Sequence, residues 1–284
     1  MLSIVDAVKH RRIYMRVLEH DPEQKDIREY FSDFAALLQA RGLKLLGITT
    51  DGSELYPTVI REVFPEAKHQ NCQFHVLKNI TAAVLHAVAQ ARAGLRTQKP
   101  KLKRGRPTQA SRKQARKSAR IAAKITSLFE HRHLFVKRSL TPSERSQLMV
   151  MTTGLPHLRS LREIMDWVYK LFDRRCRTAT ALGKLKTLRH RVRRFKQLAP
   201  ALRTLFSPTL ERALNFLDDA LLAPTSNSAE RANRRFRKMQ SAVYKVRSHT
   251  NLVGRLALDM LRSMHASTRA ALLHYLHLAR ASGP

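Results

Sequence analysis

Apolar positions along this chain follow two periods, and the change from one to the other divides it. Leu2 to Val8 (LSIVDAV) is a nearly continuous apolar run that reads as a strand. Arg12 to Leu18 (RIYMRVL) alternates in part, with Ile13, Met15 and Val17 on one face and Arg12 and Arg16 on the other. Together they predict an antiparallel hairpin. Asp21-Pro22 then predicts a helix start, with Asp as the cap and Pro in the first turn, where its missing N–H has no cost. Ile27, Tyr30, Phe31, Phe34, Leu37 and Leu38 recur at helical spacing, and Gly42 ends the helix. Leu43 to Ile48 reads as a buried strand that leads into the turn signal Asp51-Gly52. A short helix over 57–63, a strand near 68–72 and a helix from Phe74 to about Leu95 complete the first part.

The strand period does not return. Residues 121–222 are predicted to be mainly helical. Thr141-Pro142-Ser143-Glu144 is a helix-start signature, and Leu158, Leu161, Ile164, Met165, Val168 and Leu171 form a helical stripe beside Trp167. That stripe is expected to be core, with base stacking by Trp167 as the lesser alternative. Lys184 to Leu198 (KLKTLRHRVRRFKQL) is a very basic helix. Packing helices are expected again over 252–261 and 270–278. Between the two regimes, Lys99 to Arg120 carries ten Lys and Arg and no acid. Pro100, Gly105 and Pro107 preclude one continuous helix across its first half. Its core, Arg104-Gly105-Arg106-Pro107, resembles the AT-hook, an extended segment that enters the narrow minor groove of A·T-rich DNA. Minor-groove insertion and plain phosphate contact both remain open for Arg104, Arg106, Arg112 and Lys113.

Charge narrows the class. The 284 residues hold 54 Lys and Arg against 21 Asp and Glu, a formal net charge of +33. A compact chain so charged repels itself, and a polyanion relieves the repulsion. Nucleic acid fits, because phosphate neutralisation releases counterions. A ribosomal or chromatin-type binder would carry the same charge, so charge alone does not imply an enzyme. No apolar run approaches the roughly 20 residues of a membrane span, and the basic residues are spread over the whole chain, which argues against a membrane partner. Two cysteines, Cys72 and Cys176, make no disulfide framework and suit a reducing cytoplasm.

Candidate chemistry centres on residues 47–79 and 225–240. Asp51 stands where a predicted strand ends, the place where ligands and catalytic groups gather in open α/β sheets, and a carboxylate there can hold Mg²⁺. Asp-Gly alone is more often a plain turn. Cys72 and His75 have i, i+3 spacing; zinc would call for a second pair of ligands, and none is near. Thr225-Ser226-Asn227-Ser228-Ala229-Glu230 predicts a helix start, with Ser226 or Asn227 as cap; on spacing alone Asn227 and Glu230 form a capping box. Arg231, Arg234, Arg235, Arg237 and Lys238 then make a basic helix suited to phosphate.

Taken together, Asp51-Gly52, Tyr56-Pro57, Phe64-Pro65-Glu66-Ala67, His69-Gln70, Cys72-Gln73-Phe74-His75 and the 225–231 segment resemble bacterial DDE transposases with an RNase H-like core. The resemblance implies an α/β fold: a mixed sheet flanked by helices and interrupted by a large all-α insertion. It divides the chain into a first core segment (1–95), a basic linker (96–120), the helical insertion (121–222) and a second core segment (223–284). It makes Asp51 and Glu230 the second and third acids, both metal ligands, with Cys72, His75 and Asn227 in support and Arg231, Arg234, Arg235 and Lys238 on DNA. It implies two Mg²⁺ or Mn²⁺ ions, double-stranded DNA in the form of transposon ends and target, a homo-oligomer on that DNA, and a cytoplasmic, nucleoid-associated protein of an insertion sequence. The family's core has three strands before its first helix, whereas two are predicted here. The first strand and its Asp are therefore expected upstream of Met1, with Asp6 as the substitute on an early strand and loss of catalysis if no acid fills that place. The alternatives are a non-catalytic DNA-binding remnant, an RNase H-like nuclease without strand transfer, and a basic RNA-associated protein; the lack of a clustered Phe/Tyr platform argues against the last.

Overall fold

The computed structural model describes residues 1–101, 106, 108–193, 202–241, 248–266 and 268–281. They divide into two compact units, one made of 1–72 and 219–284, the other of 73–218. The chain is helix-rich, with short sheets in the first unit only among the described residues. None of the described helices is long and apolar enough to cross a membrane.

The first unit opens with β1 (Leu2–Val5) and β2 (Arg12–Arg16), paired antiparallel with Leu2 opposite Arg16. The predicted hairpin forms, but both of its faces are covered. Tyr14, on the face that carries Arg12 and Arg16, stacks on Tyr30 at 5.0 Å and lies 5.5 Å from Phe34. Helix α1 (Gln24–Ala40) supplies those rings and buries Ile27, Tyr30, Phe31 and Phe34, the predicted stripe. The helix starts later than Asp21-Pro22 indicated. Glu23 is its cap, because Glu23 and Asp26 satisfy each other's backbone amides in a reciprocal box.

Strand β3 is Gly47–Thr50, not 43–48. Leu43 and Leu46 lie exposed ahead of it, so apolarity there does not mark the strand. After α2 (Tyr56–Val63), β4 (Lys68–Asn71) pairs parallel to β3, with Gly47 opposite Lys68 and Thr50 opposite Asn71. The two strand pairs are separate two-stranded sheets, yet Ile4, Tyr14 and Ile48 all pack on the α1–α2 core around Phe31, Val59, Ile60 and Phe64.

Four helices of sixteen residues or more dominate the second unit: α3 (Gln73–Thr97), α4 (Gln109–Glu130), α6 (Pro156–Leu171) and α7 (Thr178–Arg193), with the shorter α5 (Pro142–Met151) and α8 (Pro208–Arg212) between and after them. Thr141 caps α5 in a box with Glu144, as its sequence predicts. The α6 stripe is fully buried against α7, where Ala181, Leu185, Leu188 and Val192 meet it. Trp167 sits at the stripe's margin, half-buried, with the Lys170 ammonium 5.3 Å and the Arg191 guanidinium 5.4 Å from its ring. Those two cations occupy the ring as cation–π partners.

The chain then returns to the first unit. Residues 219–226 lead to α9 (Asn227–Ser241), α10 (His249–His265) and α11 (Arg269–Ala281). Phe236, Leu252 and Leu256 form a second small core with Met1, Met15 and Val17 of the hairpin. The hairpin therefore lies between α1 on one side and α9 and α10 on the other.

Candidate active site at the carboxyl ends of β3 and β4

Side chains alternate along a strand, so Gly47 and Thr49 share the face opposite Ile48. On that face the returning segment runs beside β3 and β4 in their own direction. Asp219 pairs with Lys68 at 2.9 Å, at the start of β4. A Cβ on Gly47 would stand 2.7 Å from Leu222 Cδ1 and 3.3 Å from the Lys68 carbonyl, so a larger residue there would make the Leu222 side chain shift and crowd the carbonyl. Thr49 Oγ1 donates to the Ala223 carbonyl at 2.7 Å. At the far end the Ser226 amide donates to the Cys72 sulfur at 3.3 Å. These four contacts carry the chain from the amino to the carboxyl ends of the strands and deliver α9 there. Gly47→Ala is expected to destabilise the first unit by about 1–2 kcal/mol. Combined with Leu222→Ala it should cost less than the sum of the two changes, a coupling that urea titrations of the double-mutant cycle can read.

Asp51 follows β3 directly and is exposed. Its Oδ1 accepts the Ser53 amide at 3.0 Å, and Gly52 takes φ 92°, the left-handed turn that glycine adopts without strain. Cys72 follows β4, and its amide donates to the Thr50 carbonyl at 2.7 Å. Asp51 and Cys72 thus leave adjacent parallel strands side by side. Cys72 is fully buried, a packed thiol whose sulfur accepts a hydrogen bond. Its sulfur and a carboxylate oxygen of Glu230 lie within 4.8 Å of each other.

Glu230 occupies the first turn of α9, half-buried. Its amide donates to the Ser226 carbonyl at 3.0 Å, and the Ser226 hydroxyl donates to Glu230 Oε1 at 3.2 Å. Asn227 lies inside the helix rather than capping it, and it is exposed, so the Asn227–Glu230 box is replaced by a Ser226–Glu230 pair four residues apart. His75 stands half-buried in the first turn of α3, at the start of the second unit. Asp6 lies at the hairpin turn, where its Oδ1 accepts the amides of Val8 at 2.8 Å and Lys9 at 2.9 Å.

The hairpin fixes α9 from the other side. Arg12, almost fully buried, donates to the Ala232 carbonyl at 2.8 Å and to Ser3 Oγ at 3.2 Å, and His10 bonds Ser228 at 2.7 Å. Of the basic candidates, Arg106, Arg112, Lys113, Arg231, Arg234 and Lys238 are exposed; Arg104 and the side chain of Arg235 lie outside the described residues.

Ser226, Thr49 and Gly47 carry the site's geometry, yet only Ser226 stands out in the sequence, as a helix cap. Beside Asp51, burial and the neighbouring carboxylate push the Tyr56 phenol up to about 12. A tyrosine whose folded pKa exceeds its unfolded value near 10 contributes stability below that pH and loses it as pH rises towards 12. The chain should lose about 2 kcal/mol of stability between these limits through Tyr56, a decline that Tyr56→Phe removes in denaturant titrations run against pH.

No curated protein matches the chain, and no solved structure does. A family model described as Transposase, of the ISL3 group of DDE transposases, matches residues 3–256, which include every element of the strand-end site. The chain belongs to the ISL3-type DDE transposase family.

Proposed function

We propose that the chain carries out metal-dependent phosphoryl transfer at transposon ends, with Asp51 and Glu230 as metal-binding acids of an RNase H-like core. Transposases act on DNA, and members of the DDE family use divalent metal ions. The observation that carries the proposal is the returning segment 219–226. Over residues distant in sequence it runs along β3 and β4 and ends with Glu230 beside Cys72, next to the strand end that bears Asp51.

The donor chemistry fits a hard cation. Asp51 and Glu230 offer carboxylate oxygens, which suit Mg²⁺ or Mn²⁺, whereas the buried Cys72 thiol accepts an amide proton and is a soft donor. A divalent ion held there supplies Lewis-acid charge stabilisation for an in-line displacement at phosphorus, and two ions are the complement this chemistry takes. The chain's own groups do the positioning. Ser226 holds one oxygen of Glu230, the Ser53 amide orients Asp51, and Arg12 fixes the helix that bears Glu230. The exposed Arg231, Arg234 and Lys238 on α9 supply cations for the phosphates that flank the scissile bond, and the exposed Arg106, Arg112 and Lys113 are further cations for phosphate.

Supercoiled plasmid incubated with the chain and Mg²⁺ should be nicked and joined to labelled donor ends, and EDTA should stop both reactions. The same chain should quench the electron paramagnetic signal of free Mn²⁺. Cleavage that survives EDTA, or an unchanged Mn²⁺ signal, overturns the reading. A second reading, a DNA-binding member that does not cut, draws on Asp6. Its Oδ1 is engaged with two hairpin amides, and an acid so used is a poor third ligand. Tight duplex binding that needs no divalent ion, with no nicking under any condition, favours it.

A further inference from the structure

The second unit holds a cavity of about 820 Å³, formed by α5, the segment leading into it, α6 from Arg162 onward and the residues that follow α6. That size lies in the range of sites that enclose a small organic group. Its lining has two characters. Arg138, Arg145 and Arg175 stand exposed around it, and no carboxylate or carbonyl among the described residues takes their guanidinium N–H groups. The two acids present are already committed: Asp166 is paired with Arg162, and Asp173 accepts the Arg175 amide at 3.1 Å. The Arg162 Nε, on a side chain more than nine-tenths buried in the same wall, makes no hydrogen bond. Beside these cations lie apolar groups: Leu140, Leu148, Met149 and the ring of Tyr169, whose hydroxyl is held by the Val136 carbonyl.

A duplex offers such a cavity little. Its phosphates lie on a convex surface and its bases are stacked inside. An unpaired nucleotide offers both a base to the apolar wall and phosphates to the rim, with sequence-tolerant stacking on the tyrosine. We infer that this cavity binds an unpaired nucleotide of a DNA strand, its base against Leu140, Met149 and Tyr169 and its phosphates on Arg138, Arg145 and Arg175. The site is separate from the two acids of the proposed active site, so either assignment stands if the other fails.

The test uses the full chain and fluorescence anisotropy with two probes, a blunt duplex and the same duplex with a short single-stranded extension. The extension should tighten binding by about tenfold. Arg138→Gln, Arg145→Gln and Arg175→Gln together should erase that gain, lower the salt slope for the extended probe by about 2, and leave the blunt probe nearly unchanged. Leu140→Trp fills the apolar wall without altering charge and should erase the same gain, which keeps the test decisive if the triple variant fails to fold. Glu230→Gln should leave the gain intact. Equal affinity of the wild-type chain for the two probes overturns the inference. So does a triple variant that weakens both probes alike, or a free deoxynucleoside monophosphate that displaces the extended probe at matched concentration.

Discussion

Glu230→Gln is expected to lower metal-dependent strand cleavage by about 10²–10³-fold or more, as loss of a charged group at a phosphoryl-transfer centre does. Asp51→Asn should do the same. Each change keeps size and hydrogen-bonding capacity but removes the anionic oxygens that a hard cation requires. Neither residue contributes to the cores of the first unit, so stability and duplex affinity should stay within about twofold of wild type, as for substitutions away from packed features. Mn²⁺ titration gives a readout that does not depend on turnover: each variant should bind the ion more weakly. The pair should also be non-additive, since two ligands of one ion act as a unit. Normal cleavage by Glu230→Gln would remove Glu230 from the chemistry and leave Ser226–Glu230 as a helix cap alone.

Arg162→Met is expected to destabilise the second unit by about 3–5 kcal/mol, the cost of leaving buried acceptors without their donor. Arg162 lies within the buried stripe of α6, and its Nη1 donates to the carbonyls of Leu134 at 3.2 Å, Phe135 at 3.4 Å and Lys137 at 2.6 Å. One guanidinium thus satisfies the end of the 3-10 turn Arg132–Phe135 and ties it to α6. Methionine matches the stem in volume but supplies no N–H, so packing is kept while three carbonyls lose a partner. The melting temperature should fall by roughly 10 °C. A loss under about 1 kcal/mol would mean that water reaches those carbonyls in the variant.

The sequence showed its helices more plainly than its strands. Amphipathic stripes placed α1 and α6 because each buries one continuous face, and period 3.6 survives in such faces. β4 reads Lys-His-Gln-Asn, with no apolar residue at all. Its neighbours explain it: Thr50 Oγ1 meets His69 Nε2 at 2.9 Å and Lys68 meets Asp219, so polar pairing replaces hydrophobic burial. For the same reason Leu43 and Leu46 misled. They are apolar and exposed, and the strand begins only where Gly47 lets the returning segment approach. The motifs around Asp51 and Glu230 marked them as candidates. Their support was not legible, because Thr49–Ala223 and Cys72–Ser226 join residues more than a hundred positions apart and leave no local pattern. The arginines of the α5–α6 cavity were hidden among so many others. The one sequence signal there was Arg162, a charge set within an apolar stripe.

The route of the chain bears on how the protein matures as it is made. Gly47 and Lys68 emerge from the ribosome early, whereas Leu222 and Ala223, which lie against the same strands, come after the excursion from Gln73 to Asp218. Closing so long a loop costs about 4 kcal/mol in chain entropy, less once the excursion has itself collapsed into helices, whose local contacts form quickly. The carboxylate on α9 therefore joins the strand ends last. A nascent or prematurely terminated product that stops short of Ser226 lacks the contact with Cys72 that brings α9 to the strand ends.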